Sequence, residues 1–436
     1  MKYKNTKTIF QLLYYFLLLL VLITWQDLDN NPSVILRLCY FSLVVAPLFF
    51  WDLDFIAPIF TLFYTLARDN YTPSYLPTEI YTYLILLIVL FFYRFRSLSK
   101  DKKPIWIIIL IPYVFFANLI DSLDPQYVTG MFLAVILLIK LGAVNDSKST
   151  CLLTYAFISA GVIISLYHII HGQELSTLTW VGSHQVDRLG FKDINYSACV
   201  IALSVVSALI YLFSNKSAHW VSKYIIIGAV FIMMYSLIIN ASRASLLAVT
   251  VSALFLVLFS NAKLWTKLLI LIIFVGGISE AYNMGLLDLA MDRFENDDGT
   301  GTGRMLIWNH AYQRYIQSPS FTNILFGYGY VSGRELVHPL NTAFHNDFLA
   351  FLVEYGVLGL FLFLTFFFYP LYKSKKENRK QVIAALLSLL VICTTLEPFA
   401  AGRWAYFGFW LLALSIGKNG FNPPQITKNE DTLYYR

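Results

Sequence analysis

The sequence predicts an all-α polytopic membrane protein, and three observations carry that prediction. Of its 436 residues, 58% are hydrophobic and 13% are charged, against roughly 25% charged in a soluble domain. Apolar runs close to the length of a bilayer-spanning helix, roughly 20 residues, recur from end to end. Between successive runs the Lys and Arg content alternates between rich and poor, the pattern of a chain that keeps its cations on the cytoplasmic side. No segment is long and polar enough to form an independent soluble domain.

Fourteen candidate spans fall at about 9–25, 34–51, 54–67, 79–95, 105–120, 126–141, 151–171, 194–213, 222–240, 244–260, 264–281, 347–371, 380–396 and 403–417. The third is short and holds Pro58, so the expected number is 12–14. The chain divides into spans 1 to 11 (1–281), a large outside loop containing helices (282–346), and spans 12 to 14 with a tail (347–436). The first run follows Lys2, Lys4 and Lys7, yet it is longer than a signal-peptide core and lacks an Ala-x-Ala-like cleavage site. It reads as a retained span.

With both termini cytoplasmic, inside segments hold 22 of the 32 basic residues, including Lys373, Lys375, Lys376, Arg379 and Lys380 in one loop. Arg37 lies within the second span, and the outside keeps nine cations, eight Arg and one Lys. Inside, the ratio is eighteen Lys to four Arg. Lys suffices to set orientation, whereas the planar fork of Arg suits bidentate recognition of phosphate. Arginines that merely snorkel to the interface are the alternative. The net charge of +6 is not gathered on one face, so nucleic acid is not indicated as a partner. Cys39, Cys151, Cys199 and Cys393 lie in or beside apolar runs without paired spacing and read as small buried hydrophobes. No internal repeat of the transporter kind is evident.

Four polar stretches could carry chemistry on the outside face. In the 172–193 loop, Arg188 and Lys192 share a face if the loop end is helical, and Asn195 opens the next span as a cap or a polar contact. Asn240-Ala-Ser242-Arg243 is so short a turn that Arg243 must sit at or below the headgroups, where a charge requires a fixed partner. In Asp297-Asp298-Gly299-Thr300-Gly301-Thr302-Gly303-Arg304, Thr302 can cap a helix from about Arg304 to Gln317. That puts Arg304 at a positive helix end suited to an anion. Trp308, one turn on, can stack on a sugar or sit in the interface, and a flexible linker before a surface helix is the plainer reading of the glycines. His345-Asn346-Asp347 ends the long loop, with His345 the candidate general base. Asp347 is near it, Glu354 is too far along to touch it, and Glu397 with Arg403 reads as a structural ion pair. Asp27-Leu-Asp29 has the form of a divalent-metal motif, but Asp52-Leu-Asp54 repeats it on the other face, so no metal site is assigned.

Arg188-Leu-Gly190-Phe…Asn195, Ser242-Arg243-Ala, Gly303-Arg304…Trp308, Phe326-Gly-Tyr-Gly329 and His345-Asn346…Leu349…Glu354-Tyr-Gly356…Gly359, in that order, resemble the bacterial O-antigen polymerase and O-antigen ligase superfamily. The resemblance covers about 188–359; the first six spans match only in hydropathy. It implies a GT-C-like, metal-independent glycosyltransferase without cofactors, in the inner membrane, with its active site and large loop periplasmic. The donor implied is a glycan on undecaprenyl pyrophosphate, and the acceptor a sugar hydroxyl on a second lipid-linked unit or on lipid A–core. Arg188, Arg243 and Arg304 would hold the pyrophosphate, with Asn195, Trp308 and Asn346 lining the substrate site. His345 would take the acceptor proton in a single inverting displacement. The Gly303-Arg304…Trp308 and His345-Asn346-Asp347-Phe-Leu349 forms look closer to polymerases, for which a partner that regulates chain length is implied. A flippase of lipid-linked sugars is the reading from another class, opposed by charges gathered at one face rather than at mid-membrane.

Overall fold

A computed structural model describes residues 147–171, 176–181, 184–189, 194–214, 220–260, 303–318, 320–337, 343–374 and 378–400, with isolated positions elsewhere. In chain order these form α1 (Ser147–His171), β1 (Ser176–Val181), β2 (His184–Leu189), α2 (Ile194–Ser214), α3 (Trp220–Asn240), α4 (Arg243–Phe259), α5 (Arg304–Ile316), α6 (Phe321–Phe326), α7 (Tyr330–Glu335), α8 (Asp347–Lys373) and α9 (Arg379–Thr395). Helices α1 to α4, α8 and α9 fall where spans are expected from 151–171, 194–213, 222–240, 244–260, 347–371 and 380–396, with ends agreeing within four residues. The other expected spans lie outside the described residues apart from isolated positions. Asn195–Phe213, Trp220–Asn240 and Asp347–Tyr372 are long and apolar enough to cross a membrane.

α2 is the centre of the packing, against α1, α3, α4 and α9. It is apolar on every side, the pattern of a helix surrounded by others. Of its spanning stretch 83% is buried, against 22% for α3, so α3 presents Trp220, Tyr224 and Phe231 outward at the rim. Small residues allow close approach: Gly161 of α1 lies against Ser204, whose hydroxyl donates to the Phe157 carbonyl (2.7 Å). Ser207 donates to Leu203 O (2.8 Å) and accepts from Trp410 Nε1 (2.9 Å). Without water, such hydroxyls find backbone or ring partners.

The 172–193 loop departs from the helical reading of Arg188. β1 and β2 pair antiparallel, Val181 opposite His184 and Thr177 opposite Arg188. Arg188 lies on a strand rather than a helical turn, and Lys192, with which it was expected to share a helical face, lies outside the described residues.

α8 is two helices in line, broken at Gly356 (φ 67°, ψ −172°). The break removes the helical donors due to Val353 and Glu354, whose carbonyls instead accept from Tyr328 N (3.0 Å) and Gly329 N (2.9 Å). Only glycine fits on both sides. A Cβ on Gly356 would lie 2.4 Å from Leu325 O, and one on Gly327 (φ 86°) would lie 2.3 Å from Glu354 O. The Phe326-Gly-Tyr-Gly329 and Glu354-Tyr-Gly356 motifs are thus two halves of one backbone junction that docks α5 to α7 onto α8.

Candidate functional site

α5 starts at Arg304, with Gly303 in the left-handed conformation at its N-cap (φ 81°) and no side-chain cap bond. The cap expected of Thr302 is therefore not the one the chain uses. Arg304 nevertheless stands at the positive end of a helix, as expected. Ile307, Ala311 and Tyr315 turn inward, and the Trp308 indole N–H donates to Phe344 O (2.8 Å). That bond ties α5 to the residue before His345.

His345 sits at φ 51°, a left-handed conformation costly for a non-glycine residue. Two carboxylates hold it there. Glu397 Oε2 accepts from Phe344 N (2.9 Å) and His345 N (3.2 Å). In return Asp347 Oδ1 accepts from Phe399 N (3.0 Å) and Ala400 N (2.8 Å), while Asp347 N donates to Leu396 O (3.2 Å). The segments 344–347 and 396–400 thus clasp each other, each supplying a carboxylate to the other's amides. Asn346 Oδ1 caps α8 by accepting from Leu349 N (3.1 Å).

Arg334, on α7, completes the cluster. It pairs with Glu354 (Nε to Oε1, 3.2 Å) and Glu397 (Nη2 to Oε1, 3.1 Å) and lies 4.3 Å from the Tyr330 ring centre. Arg403, the partner expected for Glu397, lies outside the described residues. Both carboxylates are almost wholly buried. Burial raises the Glu397 carboxyl above its usual range, a rise that Arg334 and the Phe344 and His345 amides reduce without cancelling. Burial lowers Arg334, but Glu354 and Glu397 outweigh it and leave the guanidinium more firmly charged than usual. For His345, burial first and then the charges of Arg304 and Arg334 push the imidazole down to about 4, so at neutral pH it is an uncharged base.

Arg304 and Arg334 both act on His345, and Trp308 and Asn346 flank it. The start of α2 approaches this cluster, and α4 packs against α2 there. Tyr196, beside Asn195, lies close enough to act on the charge of Arg334. Ser245 of α4 donates to Cys199 Sγ of α2 (3.6 Å), and the Cys393 thiol meets the Asp347 carboxylate. Asn195 lies one residue inside α2 rather than at its cap. Arg243 is the first residue of α4, after a turn in which Ala241 is the other non-glycine residue at positive φ (50°). Strained backbone thus precedes Arg243 and falls on His345, the usual company of functional groups. Arg188 is placed by its backbone alone, on β2, beside α3. Cys199 and Cys393 are buried, as expected, and are not joined to one another by a disulfide. Among the described residues no cluster of His, Cys, Asp and Glu could hold a metal; Asp27 and Asp29 fall outside them. Sequence reasoning names Glu354 and sets Glu397 against Arg403, but it misses Arg334 as the cation between the two glutamates, a contact made only by the fold.

Residues 228–364, from mid-α3 past the Gly356 break, match the family model described as O-antigen ligase. A protein of Rickettsia prowazekii named "putative polysaccharide ligase" is 23% identical over 52% of this chain and 58% of its own length. Proteins of the same name from Rickettsia typhi and Rickettsia felis are 22% and 24% identical. The matches thus span little more than half the length of these relatives.

Proposed function

From the premise that the chain is similar to the O-antigen ligase and polymerase superfamily, we propose that it transfers a glycan from a polyprenyl-pyrophosphate carrier to a sugar hydroxyl. The reaction runs at the periplasmic face of the bacterial inner membrane, with both termini cytoplasmic. The observation that carries this reading is the strained, uncharged His345 held between Arg304 and Arg334.

His345 takes the proton of the acceptor hydroxyl as its oxygen attacks the anomeric carbon. The bond from that carbon to the phosphate oxygen breaks on the opposite face, and the pyrophosphate leaves with the electron pair. Configuration is inverted. Negative charge grows on the leaving group, and Arg304, at a helix N-terminus, is the cation next to the base that can meet it. Arg243 and Arg188 are assigned to the same pyrophosphate, and Asn195, Trp308 and Asn346 to its glycan. A bound pyrophosphate offsets the field of the arginines, which raises the imidazole and makes it a better base when the substrate is present.

Transfer to lipid A–core, the ligase reaction, is the preferred form, because the similar proteins are named as polysaccharide ligases. That reverses the order expected from the motif forms, which placed the polymerase first. His345→Ala is the direct test. It should abolish glycan transfer while the purified protein keeps its elution profile and unfolding temperature. Turnover retained in that variant removes His345 from the chemistry.

A further inference from the structure

α5 is divided lengthwise into three stripes. Arg304, Ile307, Trp308, Ala311 and Tyr315 face the protein. Met305, Tyr312 and Ile316, at i, i+7 and i+11, form an adjoining apolar stripe, and each is about half exposed. Asn309, Gln313 and Arg314 carry the remaining, polar side, with Leu306 (58% exposed) the one apolar residue among them. The apolar stripe continues onto α6, where Phe321 is 76% exposed and Phe326 46% exposed.

A helix with one stripe each for protein, apolar medium and water fits a phase boundary better than open solvent. Its position says which boundary. α6 is joined to α8 through the Gly327–Gly356 contact, and Tyr328 and Gly329 bond to Val353 and Glu354. Just beyond that junction α8 exposes Val357 (48%) and Phe361 (61%) within a stretch long and apolar enough to span a membrane. Phe326 therefore adjoins the lipid-facing flank of α8, and the exposed apolar surface runs on from it to α5.

We propose that α5 and α6 lie in the bilayer interface, with Phe321, Phe326, Tyr312 and Ile316 set among lipid headgroups and upper acyl chains. The occupant of this face is the surface of the bilayer that α8 crosses. Anchoring there fixes the height of Arg304, at the near end of α5, in the layer where lipid phosphates lie. The inference rests on the membrane reading of α8 and not on the proposed chemistry.

The test encodes an environment-sensitive fluorescent amino acid at position 321, and separately at 313 on the polar stripe, in full-length protein in phospholipid nanodiscs. At 321 emission should be blue-shifted, lost with bromine-bearing lipids and insensitive to aqueous iodide; at 313 iodide should dominate. Iodide quenching at 321 equal to that at 313 overturns the proposal. Protection from iodide without lipid quenching also overturns it, since the cover would then be protein. Neither readout depends on glycan transfer, so failure here leaves the proposed reaction standing.

Discussion

Glu397 holds three donors at once, so its removal has a calculable cost. Glu397→Ala strands the Phe344 and His345 amides, each an orphaned buried donor costing about 1–3 kcal/mol. It also takes one of two carboxylates from Arg334; breaking a buried pair outright costs about 3–5 kcal/mol. Glu354 retains part of that charge balance, so the lower ends apply, and the sum is roughly 5 kcal/mol. A folded variant would lose the support that keeps His345 at positive φ, and misplacing a reacting group by about 1 Å costs on the order of 100-fold in rate. Glu397→Gln keeps one acceptor oxygen for the amides but turns an N–H pair toward Arg334, so it should be milder in stability and still severe in turnover. The assay pairs thermal unfolding in detergent with glycan transfer by purified protein. Wild-type stability in Glu397→Ala would refute the clasp. Wild-type turnover in a destabilised Glu397→Ala would refute its role in placing His345.

Three further outcomes follow from the same geometry. Trp308→Phe removes the bond to Phe344 O and should cost about 1 kcal/mol with a larger fall in kcat than in substrate affinity; equal kcat would detach α5 from the placement of His345. Gly356→Ala meets Leu325 O at 2.4 Å in left-handed backbone, so it should lose about 3 kcal/mol or more of stability, the upper part of the range for such strain; a normal unfolding temperature would contradict the junction. For pH, the folded imidazole of His345 is near 4 against 6.5 unfolded. The unfolded chain then binds the proton first, so stability falls as pH drops from about 6.5 to about 4, by roughly 3 kcal/mol at most. Arg304→Gln removes one lowering charge, so the stability loss should be smaller and end at higher pH, and the acidic limb of kcat/KM should move to higher pH. An unmoved limb would separate Arg304 from His345.

Much of the fold is legible because a bilayer imposes it. Apolar length alone marks α1 to α4, α8 and α9, and the turn at Arg243 follows from two spans too close together for a loop. Arg304 at a helix start and His345 before a span are equally local facts. The hairpin had a readable signal, Thr- and Val-containing runs separated by Gly182-Ser183, but the apolar context and Asn195 drew the reading toward helix. The Gly356 break is hidden because a glycine inside an apolar run usually stays helical; only the approach of Gly327 gives it meaning. The joining of Glu354 and Glu397 through Arg334 escapes sequence reading, which sets Glu397 against Arg403 instead. The three are 20 and 43 residues apart in order, and each alone looks like an isolated charge near a membrane.

The central claim is glycan transfer from a pyrophosphate carrier through His345 and its arginines. Purified protein given lipid-linked repeat units, with and without lipid A–core, tests it most directly. The account predicts label moving onto lipid A–core with inverted anomeric configuration, and none with His345→Ala. Long chains on the carrier would make it the polymerase of the same chemistry. Transfer to neither acceptor, or equal transfer by His345→Ala, would contradict it.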